Sequence, residues 1–217
     1  MMDLVHFCTA HGRPSVVSYH SDIVRQQSLL KLYRPLMNRF LGSVDRIMVA
    51  SPNYQQSSEV LRPYAEKTVV VPYGLDAGAY PQVSAERMDY WRKRVGENFF
   101  LFVGVLRYYK GLSSLLDALH GTTFPLVVVG SGPEEQALKD QAARLQLKNV
   151  VFLGRLNDED KVCLLQLSLA LVFPSHLRSE AFGISLLEAA MLSKPMISCE
   201  IGSGTTYVNQ HEVTGLV

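Results

Sequence analysis

Two carboxylates, Glu180 and Glu188, stand eight positions apart around the turn AFGIS in the segment SEAFGISLLEAAMLSKPMI, residues 179–197. The apolar run LALVFP precedes them and a helical pattern opens between Phe182 and Ser185, so strand, loop and helix N-terminus follow one another. Unpaired backbone N–H groups and the positive end of the helix dipole make such a junction a receptor for phosphate, and Gly183 lets a ligand approach the backbone closely. A carboxylate beside a bare anion is repelled by it. Glu180 therefore suits the hydroxyls of a sugar attached to that phosphate, and Glu188, about 12 Å further on if the interval is helical, suits the other end of the same ligand. The same two residues serve equally well as acidic decoration of a helix start, and this segment alone leaves both readings open.

A diphosphate needs cations. A helix terminus contributes about 0.3–1 kcal/mol to anion binding, a hydrogen bond to a charged partner about 1.5–3 kcal/mol, and micromolar affinity requires about 8 kcal/mol. Arg107 and Lys110 in GVLRYYKG, residues 104–111, follow the apolar run FFLFVG and are placed to reach such a group. The stretch VGSGPEEQAL, residues 129–138, has Gly130 and Gly132 in the first two places of a dinucleotide fingerprint but Glu135 in the third, so that fingerprint fails. Gly130 reads as a tight turn lining a nucleotide cleft, or as a turn alone. His20, in SYHSD, is a single histidine at a strand end, a position more often structural than catalytic; Asp22 behind it could orient the ring or cap the next helix, and the cap is the favoured reading.

These residues need a frame. The 217 residues are 47% hydrophobic, ample for a packed core, and the net charge of +1 argues against a sequence-blind nucleic-acid binder. Cys8, Cys163 and Cys199 are odd in number and widely spaced, which suggests neither a disulfide framework nor a zinc site and makes a reducing cytoplasm the default. From Phe99 onward short apolar runs alternate with helical patterns: FFLFVG, PLVVVG, NVVFLG, LALVFP and PMISC, each but the last followed by a helix. Strands that are apolar throughout are buried on both faces, which means a parallel sheet covered by helices. Ligands in such sheets bind outside the carboxyl ends of the strands. The first part repeats the logic less regularly, with strands expected at DLVHF, SVVSYH, VDRIMVAS and KTVVVP and helices over 22–42 and 53–62. The fold class is α/β with two Rossmann-like parallel-sheet domains, residues 1–78 and 79–217, joined by the aperiodic PYGLDAGAYPQVSAE.

VGVLRYYKGLSSLLDAL, VVGSGPEEQALKDQAARLQLKNVVFLGRLNDEDK and FPSHLRSEAFGISLLEAAMLSKPMISCEIGSGTTYVNQHEVTGLV, in that order, resemble the donor domain of the family 4 retaining glycosyltransferases of GT-B architecture. YHSDIVRQQSLLKLYRPLMNRFLGSVDRIMVASPNY is similar to the acceptor-domain tail of bacterial members that build lipopolysaccharide or O-antigen chains, many of them mannosyltransferases, and VVVPYGLD resembles the segment between the domains. The resemblance implies transfer of a sugar, with retention of configuration and without a metal or other cofactor, from a nucleotide-diphosphate sugar to a glycan or polyprenyl-linked acceptor. It makes Glu180 the partner of the donor sugar hydroxyls, Glu188 that of the ribose, and Lys110 that of the diphosphate. The backbone of Phe182, Gly183 and Ile184 faces sugar and diphosphate, and His20 stands beside the reacting sugar. The family's arginine position holds Val105 here, and Arg107, two places on along an extended stretch, is expected to substitute. A sugar-nucleotide epimerase or phosphorylase, or a binding module without turnover, are the alternatives.

Residues 23–42 carry Arg25, Lys31, Arg34 and Arg39 and no acid, and the leucines, Met37 and Phe40 share the other half of a helical wheel. That pattern suits a helix lying on anionic lipid at the inner face of the plasma membrane, and equally one covering a soluble core. The resemblance also implies further acceptor-domain segments ahead of the chain and further donor-domain segments behind it. On that reading the piece taken alone is expected to be poorly stable or to associate.

Overall fold

The computed structural model describes residues 2–8, 13–23 and 27–217. In chain order the elements are α1 (Met2–Cys8), β1 (Val16–Ser18), α2 (Gln27–Ser43), β2 (Arg46–Val49), α3 (Pro52–Ser57), β3 (Thr68–Val70), α4 (Ala85–Val95), β4 (Phe100–Val103) and α5 (Leu112–Leu119). They continue with β5 (Leu126–Val129), α6 (Glu135–Arg144), β6 (Val150–Gly154), α7 (Asp158–Leu167), β7 (Ala170–Phe173), α8 (Ile184–Met191), β8 (Met196–Ser198), α9 (Thr205–Val208) and β9 (Gly215–Leu216). Two sheets result, one of three parallel strands in the order β1-β2-β3 and one of six in the order β6-β5-β4-β7-β8-β9. Both are parallel throughout, with helices in the connections, as two Rossmann-like units require.

The second sheet is built as its apolar runs require. Along β4 and β5, Leu101, Val103, Val127 and Val129 pack on one face with Trp91, Leu164 and Leu186, while Phe102, Leu126 and Val128 pack on the other with Leu106, Leu116 and Leu138. Burying each of these larger side chains stabilises the fold by about 1.5–3 kcal/mol. A helix that periodicity did not reveal, α4, is stapled to α7 across this layer. Asp160, 5% exposed at its side chain, accepts from Arg87 Nε and Nη2 and from the indole N–H of Trp91 at 2.7 Å. The Arg87 hydrogen bond holds the Asp160 carboxyl below its usual value against the cost of burial, and Trp91 adds to the effect. Its contribution is present above the ordinary carboxylate pKa of about 3.9 and is lost as pH falls through the lower folded value. Asp160→Ala strands the buried indole N–H, whereas Arg87, 37% exposed, keeps much of its hydration. A loss of about 2–3 kcal/mol is expected in urea denaturation at neutral pH, narrowing below about pH 4. A pH-independent loss under about 0.5 kcal/mol, the range of ordinary surface changes, would contradict this account.

In the first unit Met37, Phe40 and Leu41 of α2 join Val44, Ile47, Val49, Tyr54 and Leu61 in one core. The apolar half of α2 thus covers protein, and only Leu29 and Leu32, 68% and 83% exposed, project from its N-terminal half. Arg25 lies outside the described residues. The helix expected over 22–42 is described from Gln27 to Ser43, and that over 53–62 is the shorter α3 followed by a 3-10 turn, Arg62–Lys67. DLVHF is helical rather than extended: α1 lies on α2, with His6 edge-on to Phe40 and bonded to Ser43 Oγ at 3.0 Å. Among the described residues no helix is long and apolar enough to cross a membrane.

Candidate functional site

In the six-stranded sheet the chain runs outward from β4 through β5 to β6 on one side, and through β7, β8 and β9 on the other. The crevice of such a sheet opens at this reversal, between the loops after β4 and β7. Lys110 stands on the first loop and Glu180 on the second.

Glycines let these loops touch. Gly111, with φ +71°, closes the 3-10 turn Tyr108–Lys110 and opens α5; a Cβ there would overlap the Pro174 carbonyl. Gly130, with φ +135°, brings the β5 loop onto the β4 loop, where a Cβ would overlap the Gly104 carbonyl. With the main chains so close, and His176 N–H donating to the Tyr109 carbonyl at 3.1 Å, Lys110 Nζ donates to Glu180 Oε2 at 2.5 Å. Both side chains are only 12% exposed, and the ammonium lies 4.7 Å from the centre of the Phe173 ring. An anion that binds Lys110 therefore competes with Glu180 for it.

A pocket of about 480 Å³ adjoins this pair, lined by Val103, Gly104, Val105, Val129, Gly130, Ser131, Arg155, Leu156, Asp158 and Lys161. Gly104 joins the two, since Lys110 Nζ lies 3.7 Å from where a Cβ at Gly104 would be. Lys161 links the pocket to Glu188: its ammonium reaches Asp158 at 2.8 Å and Glu188 Oε1 at 3.0 Å, and Tyr80 donates to the same oxygen at 3.0 Å. Burial opposes the Lys161 charge, but Asp158 and Glu188 outweigh it and raise its pKa. Burial, then the Glu188 charge, push the Tyr80 phenol up to about 12, so it remains a donor at neutral pH. Glu188 is no solvated helix residue; it is 6% exposed and held from two sides.

Val105 and Arg107 are both exposed with buried Leu106 between them, as an extended stretch requires. Val105, not Arg107, is on the pocket wall. Gly183, with φ +92°, opens α8; Phe182 before it is buried at 2% and Ile184 after it is 44% exposed. From the other unit, His20 Nδ1 is 2.9 Å from Tyr73 Oη, and the Tyr73 ring meets Phe182 edge-on at 5.3 Å. His20 thus reaches the second unit through a tyrosine. The residues that Asp22 would cap, 24–26, lie outside the described residues. Asp22 Oδ1 accepts from the Tyr19 and Ser58 hydroxyls, both at 3.0 Å, and its Oδ2 faces Arg178.

Tyr73, Tyr80, Arg155, Asp158, Lys161 and Arg178 were not anticipated. Two tyrosines in an interdomain stretch of small residues are a signal in the sequence, as is the i,i+3 pair Asp158 and Lys161 at a helix start on a loop beyond a strand end. Arg178 gives none, because its partners lie far away along the chain.

Two parallel sheets and a crevice that sets a lysine against one carboxylate, with a second carboxylate tethered behind it, define an α/β protein with a charged site at the carboxyl ends of its strands. The chain belongs to the group 1 glycosyl transferases, whose family model matches residues 84–217. It is 67% identical over 216 residues to D-rhamnosyltransferase WbpZ of Pseudomonas aeruginosa and 54% identical over 216 residues to O-antigen chain mannosyltransferase C of Escherichia coli. Both comparisons cover 100% of this chain, which spans 57% and 58% of the two relatives. Among solved structures, Anabaena Alr3699/HepE in complex with UDP and glucose superposes with a TM-score of 0.76 at 26% identity, covering 99% of this chain and 60% of that one. The fold is shared with sucrose-phosphate synthase of Thermosynechococcus elongatus, at a TM-score of 0.80 over 98% of this chain and 56% of that one, with 21% identity.

Proposed function

We propose that this chain acts in a retaining glycosyltransferase that moves a hexose, mannose or a close relative, from a nucleotide-diphosphate sugar to a glycan or polyprenyl-linked acceptor in O-antigen synthesis. The observation that carries this reading is the Lys110–Glu180 pair beside the 480 Å³ pocket, which Gly104 joins to the lysine. Lys110 receives the diphosphate and neutralises the charge that grows on it as the glycosidic bond breaks. Glu180, released from the lysine, turns to the sugar hydroxyls; Glu188, held through Oε1 by Tyr80 and Lys161, offers Oε2 to the ribose. Gly130 shapes the pocket wall, and the backbone of Phe182, Gly183 and Ile184 lies against the sugar and diphosphate. His20 closes the sugar from the opposite unit, Arg107 adds positive charge at the rim, and no cofactor beyond the donor takes part. The division between donor and acceptor domains falls near residues 78 and 79. The test is incubation with GDP-mannose and UDP-glucose and an acceptor glycan, with the anomeric configuration of the product read by NMR. Transfer with retention supports the reading; an inverted product, or no transfer from any nucleotide sugar, contradicts it.

Leu29 and Leu32, flanked by exposed Lys31 and Arg34, support peripheral contact with the anionic inner face of the plasma membrane. Vesicles containing phosphatidylglycerol should carry the protein upward in flotation, and Leu32→Asp should reduce that. Equal flotation with neutral phosphatidylcholine vesicles would count against it.

A further inference from the structure

The two units face each other beside this crevice, and each presents two polar side chains at alternate positions: His20 and Asp22 on the segment after β1, Arg178 and Glu180 on the segment after β7. One from each unit makes contact across the gap. Arg178 Nη2 and Nε reach Asp22 Oδ2 at 3.0 and 3.2 Å, and its Nη1 donates to Ser57 Oγ at 2.8 Å and to the Gly202 carbonyl at 2.7 Å. The guanidinium also lies 4.9 Å from the centre of the Tyr54 ring. Asp22 is gripped on its own side by the Tyr19 and Ser58 hydroxyls, and its N–H donates to Tyr54 Oη. The arginine and aspartate side chains are 27% and 17% exposed, so the pair is screened from water more than a surface ion pair. One residue beyond Glu180, Ala181 is 4% exposed and belongs to the core of the first unit, not the second. The loop that carries Glu180 is thus fastened to the unit that carries His20.

Among the described residues, Lys110, Lys161 and Glu188 bond to groups other than Asp22 and Arg178, and neither member of the pair lines the 480 Å³ pocket. The pair therefore has no share in holding a nucleotide. What it fixes is geometry: with Asp22 locked to Arg178, His20 and Glu180, each two residues away, keep a set separation across the crevice. We propose that the Asp22–Arg178 ion pair is a positioning clamp that holds the two units in the arrangement where His20 and Glu180 act on one sugar. Both residues work through their neighbours and neither touches the ligand. The proposal rests on the roles assigned to His20 and Glu180 above.

Arg178→Gln and the isosteric Asp22→Asn each remove the clamp, while Asp22→Glu keeps the charge. Small-angle X-ray scattering on the folded protein reads the arrangement of the units whether or not sugar is transferred. Both clamp-breaking variants should expand the particle relative to wild type and Asp22→Glu should restore most of the compaction; superposable profiles for all four proteins would overturn the clamp. In turnover of GDP-mannose or UDP-glucose, kcat should fall by at least about tenfold, since misplacement by an ångström can cost about 10² in rate, while the affinity for GDP or UDP stays within about twofold. An expanded particle with unchanged kcat would overturn the positioning role, as would nucleotide affinity falling in step with kcat. No sugar transfer by wild type, with the clamp-breaking variants still expanded relative to it, would refute the assigned function and leave the clamp standing.

Discussion

Lys110→Ala should slow sugar transfer by about 10²- to 10³-fold, the cost of removing one preorganised charge from a developing anion. It should also weaken nucleoside diphosphate binding by about 10- to 100-fold, the equivalent of a hydrogen bond to a charged group. The reasons are in the loop geometry. Gly111 allows the β4 loop to lie on the Pro174 carbonyl, and the ammonium is thereby held over Phe173, near Gly104 at the pocket edge. Lys110→Arg retains charge but presents a planar fork in place of a point donor, and Phe173 and Gly104 leave it little room, so only partial recovery is expected. Kinetics with the donor varied, paired with calorimetry of GDP or UDP, checks both effects. A Lys110→Ala enzyme within about threefold of wild type in both would remove the lysine from the mechanism.

Glu180→Gln should act in opposite directions on the two measurements. Transfer should fall by about 10²-fold or more, because the carboxylate that orients the sugar hydroxyls in the transition state is gone. Binding of a nucleoside diphosphate without sugar should tighten. Glu180 occupies Lys110 at 2.5 Å, and both are nearly enclosed, so the glutamine releases the lysine and removes a negative charge from beside the phosphates. A gain of about fivefold corresponds to about 1 kcal/mol, the upper range for a partly exposed ion pair. Weaker nucleotide binding in Glu180→Gln would mean that the carboxylate supports the diphosphate site instead of guarding it. The same competition implies that a nucleotide sugar gains from Glu180 what a bare nucleotide loses to it, which favours intact donor over spent product.

The second sheet was legible because parallel strands covered on both faces leave continuous apolar runs, and FFLFVG, PLVVVG and LALVFP became β4, β5 and β7 where they were expected. Residue type and loop position brought out Lys110, Glu180 and Glu188, since a strand end followed by a helix fixes where the loop points. What sequence did not disclose depends on distance along the chain. Arg178 meets Asp22 across 156 positions and Tyr80 meets Glu188 across 108, and no local period links such pairs. For that reason Asp22 reads as a helix cap in the sequence and is an anchor between units in the fold. DLVHF shows the other limit: a five-residue stretch with three apolar side chains fits a strand or a helix turn equally, and α2 beneath it decides for the helix.

The claim that Lys110, Glu180, Glu188 and the 480 Å³ pocket form one receptor for a nucleotide-diphosphate sugar is tested most directly by thermal unfolding against a panel of nucleotides and nucleotide sugars. A ligand bound only by the folded state raises its stability by about 2.7 kcal/mol at a hundred times its Kd. Wild type should be stabilised by one nucleotide sugar above the rest of the panel, Lys110→Ala by that ligand at the same concentration by about half as much or less, and Glu180→Gln more by the bare nucleoside diphosphate than by its sugar conjugate. Equal stabilisation of wild type and Lys110→Ala by the same ligand, or none in wild type by any nucleotide, would contradict it.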